Sequence, residues 1–175
     1  AAFGFLGTTR APVSVNGTNI QTLPGQLLDV AAGDVELRQA LLITQGGGDV
    51  RVTAVGNDMA EVPIAGPLPA AHGDLDIVTA GIATTAFGNR HGGNILVSAG
   101  NITLRGPEQG GNAVISSIVL PDATAGGGDI TIAVTGALSV LSGGLISSQN
   151  YGVATAAGSI AITASSLTFD TRGNY

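Results

Sequence analysis

Three phrases of this sequence decide its fold: GGNILVSAGNITLRG (residues 92–106), GGDITIAVTGALSVLSGG (residues 127–144) and GSIAITASSLTF (residues 158–169). They are variants of one unit, and the glycine before the Asn, Asp or Ser of each phrase recurs after 35 and then 30 residues. Repeats with periods of about 20–50 residues are typical of solenoids, propellers and other arrays. The repeat therefore has to be explained before any single residue.

Aliphatic and β-branched residues alternate with small or polar residues in each unit, and glycine-rich turns separate the alternating stretches. This pattern is typical of short strands, and three such stretches per unit predict three strands per turn. We therefore predict an all-β parallel β-helix (β-solenoid) with about 25–35 residues per turn. Its inward side chains are expected to stack from turn to turn, beginning with Ile95 and Val97, then Ile130 and Ile132, then Ile160 and Ile162.

The composition fits a narrow aliphatic core. The chain has 175 residues, of which 44% are hydrophobic, only 3% are aromatic and 28 are glycine. Without cysteine it has neither a disulfide framework nor a thiolate metal site. A net charge of −6 argues against nucleic-acid binding, and no apolar run is long enough to suggest membrane insertion.

Strand-like phrases also fill most of residues 1–55 and 73–81, so the chain is expected to supply about six or seven turns. Residues 56–72 break the pattern and contain Pro63, Pro67 and Pro69. Since proline cannot donate to a strand ladder, this stretch is predicted to be a flanking loop or a cap. We assign residues 1–175 to a single solenoid segment with this one interruption.

The repeats resemble those of filamentous haemagglutinin-like exoproteins of bacterial two-partner secretion systems. The phrases that carry the resemblance are residues 92–104 and 127–169, and the opening residues 1–37 are similar too. The resemblance implies a right-handed parallel β-helix, export through an outer-membrane barrel partner, and adhesion to a host-cell or matrix surface. The Asn-Pro-Asn motifs of the family's secretion domain are absent, so the chain would be a shaft segment.

We therefore expect a non-enzymatic shaft of a secreted or cell-surface bacterial adhesin that mediates attachment, aggregation or biofilm formation. Solenoid ends carry unpaired strand edges, so the segment is expected to continue into a longer chain or to contact same-fold segments end to end. One alternative is a self-assembling extracellular fibre subunit, and another is a carbohydrate-active β-helix enzyme. The sequence predicts no cofactor.

Asp74 and Asp76 are the candidates for catalysis, because alternate residues of one strand point to one face. Together with Glu61 or Asp58 they would form a carboxylate pair suited to glycoside cleavage. The chain has no lysine, and its six arginines are scattered, unlike the basic and metal-binding clusters of β-helix lyases. The sequence therefore favours a non-catalytic role.

His72 and His91 are the only histidines and are 19 residues apart, near one turn's length. If they were neighbours, they and Asp74 would form a metal site of two histidines and a carboxylate. The alternative, which the sequence favours, is that both occupy exposed loop positions.

One position of the repeated unit, directly after glycine, is expected to hold a short polar residue in each copy, namely Asp49, Asp74, Asn94, Asp129 and Ser159. Stacked in one column they would either bind Ca²⁺ through oxygen or bond backbone at the corners of the coil. Since the column contains Asn and Ser, the sequence favours corner bonding.

Paired serines also match between units, at Ser116–Ser117 and Ser147–Ser148. A stacked hydroxyl ladder would either face an ice-like or sugar surface or bond between neighbouring coils. The sequence favours the second interpretation.

Overall fold

In a computed structural model, which describes residues 1–7, 9–107, 112–153 and 156–170, the chain consists of strands joined by turns and loops. These described residues contain no helix, and so none long and apolar enough to span a membrane. The strands, in chain order, are β1 (Ala2–Phe5), β2 (Val13–Asn16), β3 (Asn19–Gln21), β4 (Leu28–Ala32), β5 (Val35–Arg38), β6 (Leu41–Gln45), β7 (Val50–Ala54), β8 (Ala60–Pro63), β9 (Asp74–Val78), β10 (Gly81–Ala86), β11 (Ile95–Ala99), β12 (Asn101–Arg105), β13 (Ala113–Val119), β14 (Ile130–Val134), β15 (Ala137–Leu141), β16 (Gly144–Asn150), β17 (Ile160–Thr163) and β18 (Ser166–Asp170).

Three parallel sheets make up the body of the molecule. Face 1 has the order β4-β7-β11-β14-β17, face 2 has β2-β5-β9-β12-β15-β18, and face 3 has β3-β6-β10-β13-β16. From β4 onward, apart from β8, the chain visits faces 1, 2 and 3 in that fixed cyclic order. The prediction of an all-β, solenoid-like fold of parallel strands is confirmed at this level.

The coils differ in length more than the repeat suggested. On face 1, Leu28 pairs with Val50, Val50 with Ile95, Ile95 with Ile130 and Ile130 with Ile160, so successive coils take 22, 45, 35 and 30 residues. The longest coil contains residues 56–72. Because this coil uses so much chain, face 2 has six described strands and faces 1 and 3 have five each, which is at or just below the six or seven turns predicted.

Inward side chains stack in columns, as the alternation predicted. In the column that ends with Ile95, Ile130 and Ile160, the first two side chains are fully buried. Burying one such side chain stabilises the fold by about 1.5–3 kcal/mol. Ile160 is 42% exposed because its strand, β17, is the last described strand of face 1 and has a neighbour on one side only.

Glycine occupies the corner where each coil passes from face 3 to face 1. A Cβ atom on Gly93 would overlap the carbonyl oxygen of Gly48 in the coil before it, and Gly128 and Gly158 meet the carbonyls of Gly93 and Gly128 in the same way. Only a residue without a side chain lets the two backbones approach this closely. This close approach explains why glycine marks the start of each repeated phrase.

Residues 56–72, which we call the strap, were predicted to be a flanking loop or a cap, and they also form a strand. They contain β8, which pairs antiparallel with β1. The strap lies on the outer side of face 1, where Nη2 of Arg51 donates to the carbonyl of Pro63 (2.7 Å) and Oγ of Ser98 donates to that of Pro69 (2.6 Å). Proline is tolerated at the end of β8 because a two-stranded ribbon has free edges.

Candidate functional site

One column of short polar side chains follows the glycine corners into face 1. The backbone N–H of Asn94 donates to Oδ1 of Asp49 (2.7 Å), and that of Asp129 donates to Oδ1 of Asn94 (3.0 Å). Both the N–H (2.7 Å) and the hydroxyl (2.8 Å) of Ser159 donate to Oδ1 of Asp129, and these bonds lower the pKa of Asp129. The side chains thus bond the backbone of the next coil, as the corner interpretation requires.

Asp74 does not belong to that column, and its assignment there was wrong. It lies at the start of face 2, where its N–H donates to Oδ1 of Asp34 (2.8 Å) and its own Oδ1 accepts a bond from Nδ2 of Asn101 (2.9 Å). The Asn101 Oδ1 in turn accepts the N–H of Ala137 (3.0 Å). The reason is the strap, which places the phrase Gly73–Asp74 at a different corner from the other copies.

Asp76 lies on the outer side of face 2 beside Glu36 of the neighbouring strand. Glu36 is held by Nε of Arg38 (2.6 Å) and the hydroxyl of Ser14 (3.1 Å), and these bonds, that from Arg38 first, lower its pKa. Glu61 lies on β8, in the strap over face 1, so it does not join Asp76 or Asp74 on face 2. The structure therefore does not assemble the carboxylate pair with Glu61.

The two histidines lie at different corners of the coil, so they are not the neighbours that the metal-site alternative required. His72 stands where face 1 passes to face 2, with Nε2 3.7 Å from Oδ2 of Asp58 and Nδ1 3.3 Å from Oγ1 of Thr135. His91 stands where face 3 passes to face 1, with its ring beside Gly126. Both side chains are exposed. Within the described ranges no three His, Asp or Glu residues come together around a possible metal position.

The matched serine pairs divide between the two sides of face 3. Ser116 and Ser147 point outward, with 3.3 Å between their hydroxyl oxygens. Ser117 and Ser148 join Thr44 and Thr84 in an inward column, where the Ser117 hydroxyl accepts the N–H of Gly128 (3.1 Å). Because neighbouring residues of a strand face opposite sides of the sheet, only one serine of each adjacent pair can belong to an outer hydroxyl ladder.

An ion pair beneath the strap was missed by the sequence reasoning. Arg51 is only 4% exposed, and its Nε lies 3.8 Å from Oδ2 of Asp29, its register partner on β4. Burial raises the pKa of Asp29, and the guanidinium of Arg51 partly opposes that effect. Alternation places both side chains on the outer side, where they would be exposed if the strap did not cover them.

A cleft of about 370 Å³ opens between the strap and the outer side of face 1. We call it the strap cleft. The side chains that define it are Leu27, Asp49, Arg51, Ile64, Asn94 and Leu96. The polar corner column, the buried arginine and partly exposed aliphatic side chains meet in this cleft.

No protein-family model matches the chain, and no curated protein or solved structure is significantly similar to it. The case for any function is therefore made from the residues and their geometry.

Proposed function

We propose that this chain is the shaft segment of a secreted or cell-surface bacterial adhesin, in which a stiff β-solenoid mediates attachment, aggregation or matrix formation. The observation that carries the proposal is the unbroken inward stacking of side chains through parallel sheets of five and six strands. Each coil contacts chiefly its neighbours, so a body of this kind grows along one axis. Length and stiffness, rather than a reaction centre, are what such a body supplies.

The proposal includes a right-handed coil and an outer-membrane barrel as the secretion partner. Both come from the resemblance of the repeats to filamentous haemagglutinin-like exoproteins. The lack of lysine, the scattered arginines and the low aromatic content are compatible with a passive rod. The host-cell or matrix surface would be contacted by exposed loops or by a distal tip.

Two measurements on the source organism test this function. Antibodies against the purified chain should label intact cells or the surrounding matrix, and deletion of the gene should reduce surface attachment or aggregation. A control strain with the gene restored at another locus should regain both. Labelling that appears only after lysis, or a deletion strain that attaches normally, would contradict the proposal.

A second candidate is a separate fibre subunit that polymerises end to end. It is favoured by the last described coil, where Ile160, Leu167 and Phe169 continue inward columns yet remain 42–62% exposed. An apolar surface of this kind beside unpaired strand edges is suited to stacking on another coil. Head-to-tail contacts of this type generate open filaments.

Sedimentation and electron microscopy of the purified chain test end-to-end contact. Phe169→Asp should abolish filaments, because it places a charge in the stacked column. Thr168→Asp is the matched control, since Thr168 is exposed on the same strand and lies outside that column. A chain that stays monomeric at high concentration would count against the fibre subunit. The mass of the natural protein then separates the candidates, because a giant precursor indicates a shaft.

A further inference from the structure

We propose that the strap cleft binds a neutral sugar residue. Its volume of about 370 Å³ falls within the range of about 300–1,000 Å³ found for small-molecule sites. The inference is independent of the proposed function, because it rests on the lining of the cleft and would hold for a fibre subunit as well as for an adhesin shaft.

The polar wall offers a hydrogen-bond acceptor beside a donor. In Asp49 and Asn94 the Oδ1 atoms are used by the corner column. The second carboxylate oxygen of Asp49 and Nδ2 of Asn94 have no hydrogen-bond partner among the described residues. They stand on adjacent coils, so they are separated by about one strand spacing of 4.8 Å. A carboxylate that accepts and an amide that donates fit two neighbouring hydroxyl groups of a sugar.

The apolar walls suit the C–H side of a sugar ring. Leu27 is 45% exposed and Ile64, on the strap, is 44% exposed, while Leu96 on face 1 is half-buried. These side chains face the cleft from its two sides. A ring that lies between them would bury aliphatic surface that the free protein leaves in water.

The charges in the cleft disfavour an acidic ligand. The carboxylate of Asp49 lines the cleft and would repel an acid. Arg51 also lines the cleft, but it is already bonded to Pro63 and paired with Asp29, so it is not available to neutralise an acidic ligand.

The sheet geometry disfavours a peptide. Extended peptides usually bind by adding a strand to a free sheet edge. The strands of face 1 that line the cleft, β7 and β11, are each paired on both sides. No backbone groups on that wall remain free to receive a peptide strand, whereas a sugar needs only side-chain contacts.

The test is a titration of the full chain with methyl glycosides of glucose, galactose, mannose and N-acetylglucosamine, followed by NMR chemical shifts. At least one glycoside should bind saturably and shift the amide signals around Asp49, Asn94 and Leu96. Glucuronate serves as an acidic probe and should bind more weakly. Absence of saturable binding by all four glycosides, or tighter binding of glucuronate, would overturn the inference.

Two variants copy residues of the next coil and should therefore fold. Asn94→Asp keeps the acceptor for Asp129 but removes the amide donor, and Leu96→Thr introduces the residue of its register partner Thr131. Each should weaken glycoside binding about tenfold, the effect of losing one good contact. Asp129→Asn, in the same column but one coil beyond the cleft, should bind like the natural chain. Equal binding by all three variants would place the ligand elsewhere and sink the inference.

Discussion

Corner glycines are the residues on which close stacking depends most directly. Gly93→Ala should lower the free energy of unfolding by about 3 kcal/mol or more, because its Cβ would overlap the carbonyl of Gly48 and force two coils apart. Gly7→Ala is the control, since a Cβ there meets only ordinary contacts. Urea denaturation of both variants gives the comparison. Equal midpoints would mean that the coils are not packed as described.

The corner column predicts a pH-dependent effect at Asp129. Asp129→Ala should cost about 1 kcal/mol at pH 7, because Ser159 loses its acceptor, whereas Asp129→Asn keeps an oxygen and should cost less. The pKa of Asp129 is lowered from 3.8 in the folded state. The stability that its charge contributes is therefore present above pH 3.8 and is lost as the pH falls through the folded pKa.

Urea denaturation at pH 7 and at pH 3 measures this effect. The difference between the natural chain and Asp129→Asn should shrink at the lower pH. A difference that is the same at both pH values would show that the carboxylate charge plays no part in the column.

The ion pair under the strap predicts the opposite pH dependence. Arg51→Met should destabilise the fold by about 2 kcal/mol at pH 7, because it leaves the Asp29 carboxylate buried without its counter-ion. The effect should be smaller than for a fully enclosed ion pair. Burial already raises the pKa of Asp29 above 3.8 in the folded state. The free energy of unfolding therefore falls as the pH rises from 3.8 through the folded pKa, because the buried carboxyl group then becomes charged. The defect of Arg51→Met should therefore be smaller at pH 4.

The matched control is Arg38→Met, because Arg38 pairs with Glu36 at an exposed position of face 2. Exposed pairs contribute little, so this variant should unfold almost like the natural chain. If Arg51→Met and Arg38→Met had the same small effect at pH 7, Arg51 would not be covered by the strap.

At the scale of elements, the strap should open separately from the coils. Ser98→Ala removes the bond to Pro69 and copies its register partner Ala133, so the coil itself should tolerate the change. Amide hydrogen exchange in the strap should accelerate about fivefold to tenfold, as expected for one lost hydrogen bond. Exchange on the inner strands of the three faces should not change. Uniform acceleration throughout the chain would contradict a separately opening strap.

Sequence alternation was sufficient to predict the strands and their inward residues. Ile95 and Ile130 are buried as expected, because a period of two and a repeated corner glycine together determine both face and register. The strap could not be predicted in this way. Its strand β8 pairs with β1 from near the start of the chain, and neither strand belongs to the repeat. The Asp29–Arg51 pair and the strap cleft depend on that long-range contact, so they were missed with it.

Asp74 and the two histidines show the same limit. Asp74 follows glycine as Asp49 does, but the preceding strap moves it to another corner. The 19 residues between His72 and His91 would correspond to one turn only if every coil had about that length. The coils of face 1 take 22 to 45 residues, so a difference in residue number does not convert directly into height along the axis.

At the scale of the whole molecule, the first and last described coils differ in how far their inward side chains are exposed. One inward column begins at Val15, which is 8% exposed, and ends at Phe169, which is 62% exposed. Buried partners lie between them at Leu37, Ile77 and Leu104. The last described coil thus offers a large apolar surface, and covering it with a further coil would stabilise both.

Stacking of parallel coils in register is the central claim, and methyl–methyl nuclear Overhauser effects in solution test it most directly. The chain has a mass of 17.1 kDa, which suits this measurement. Strong cross-peaks should join the side chains of Ile95 and Ile130, and of Ile130 and Ile160, which follow one another on face 1. If these cross-peaks were missing, and if the close Hα–Hα contacts of antiparallel strands were observed on the three faces instead, the claim would be contradicted.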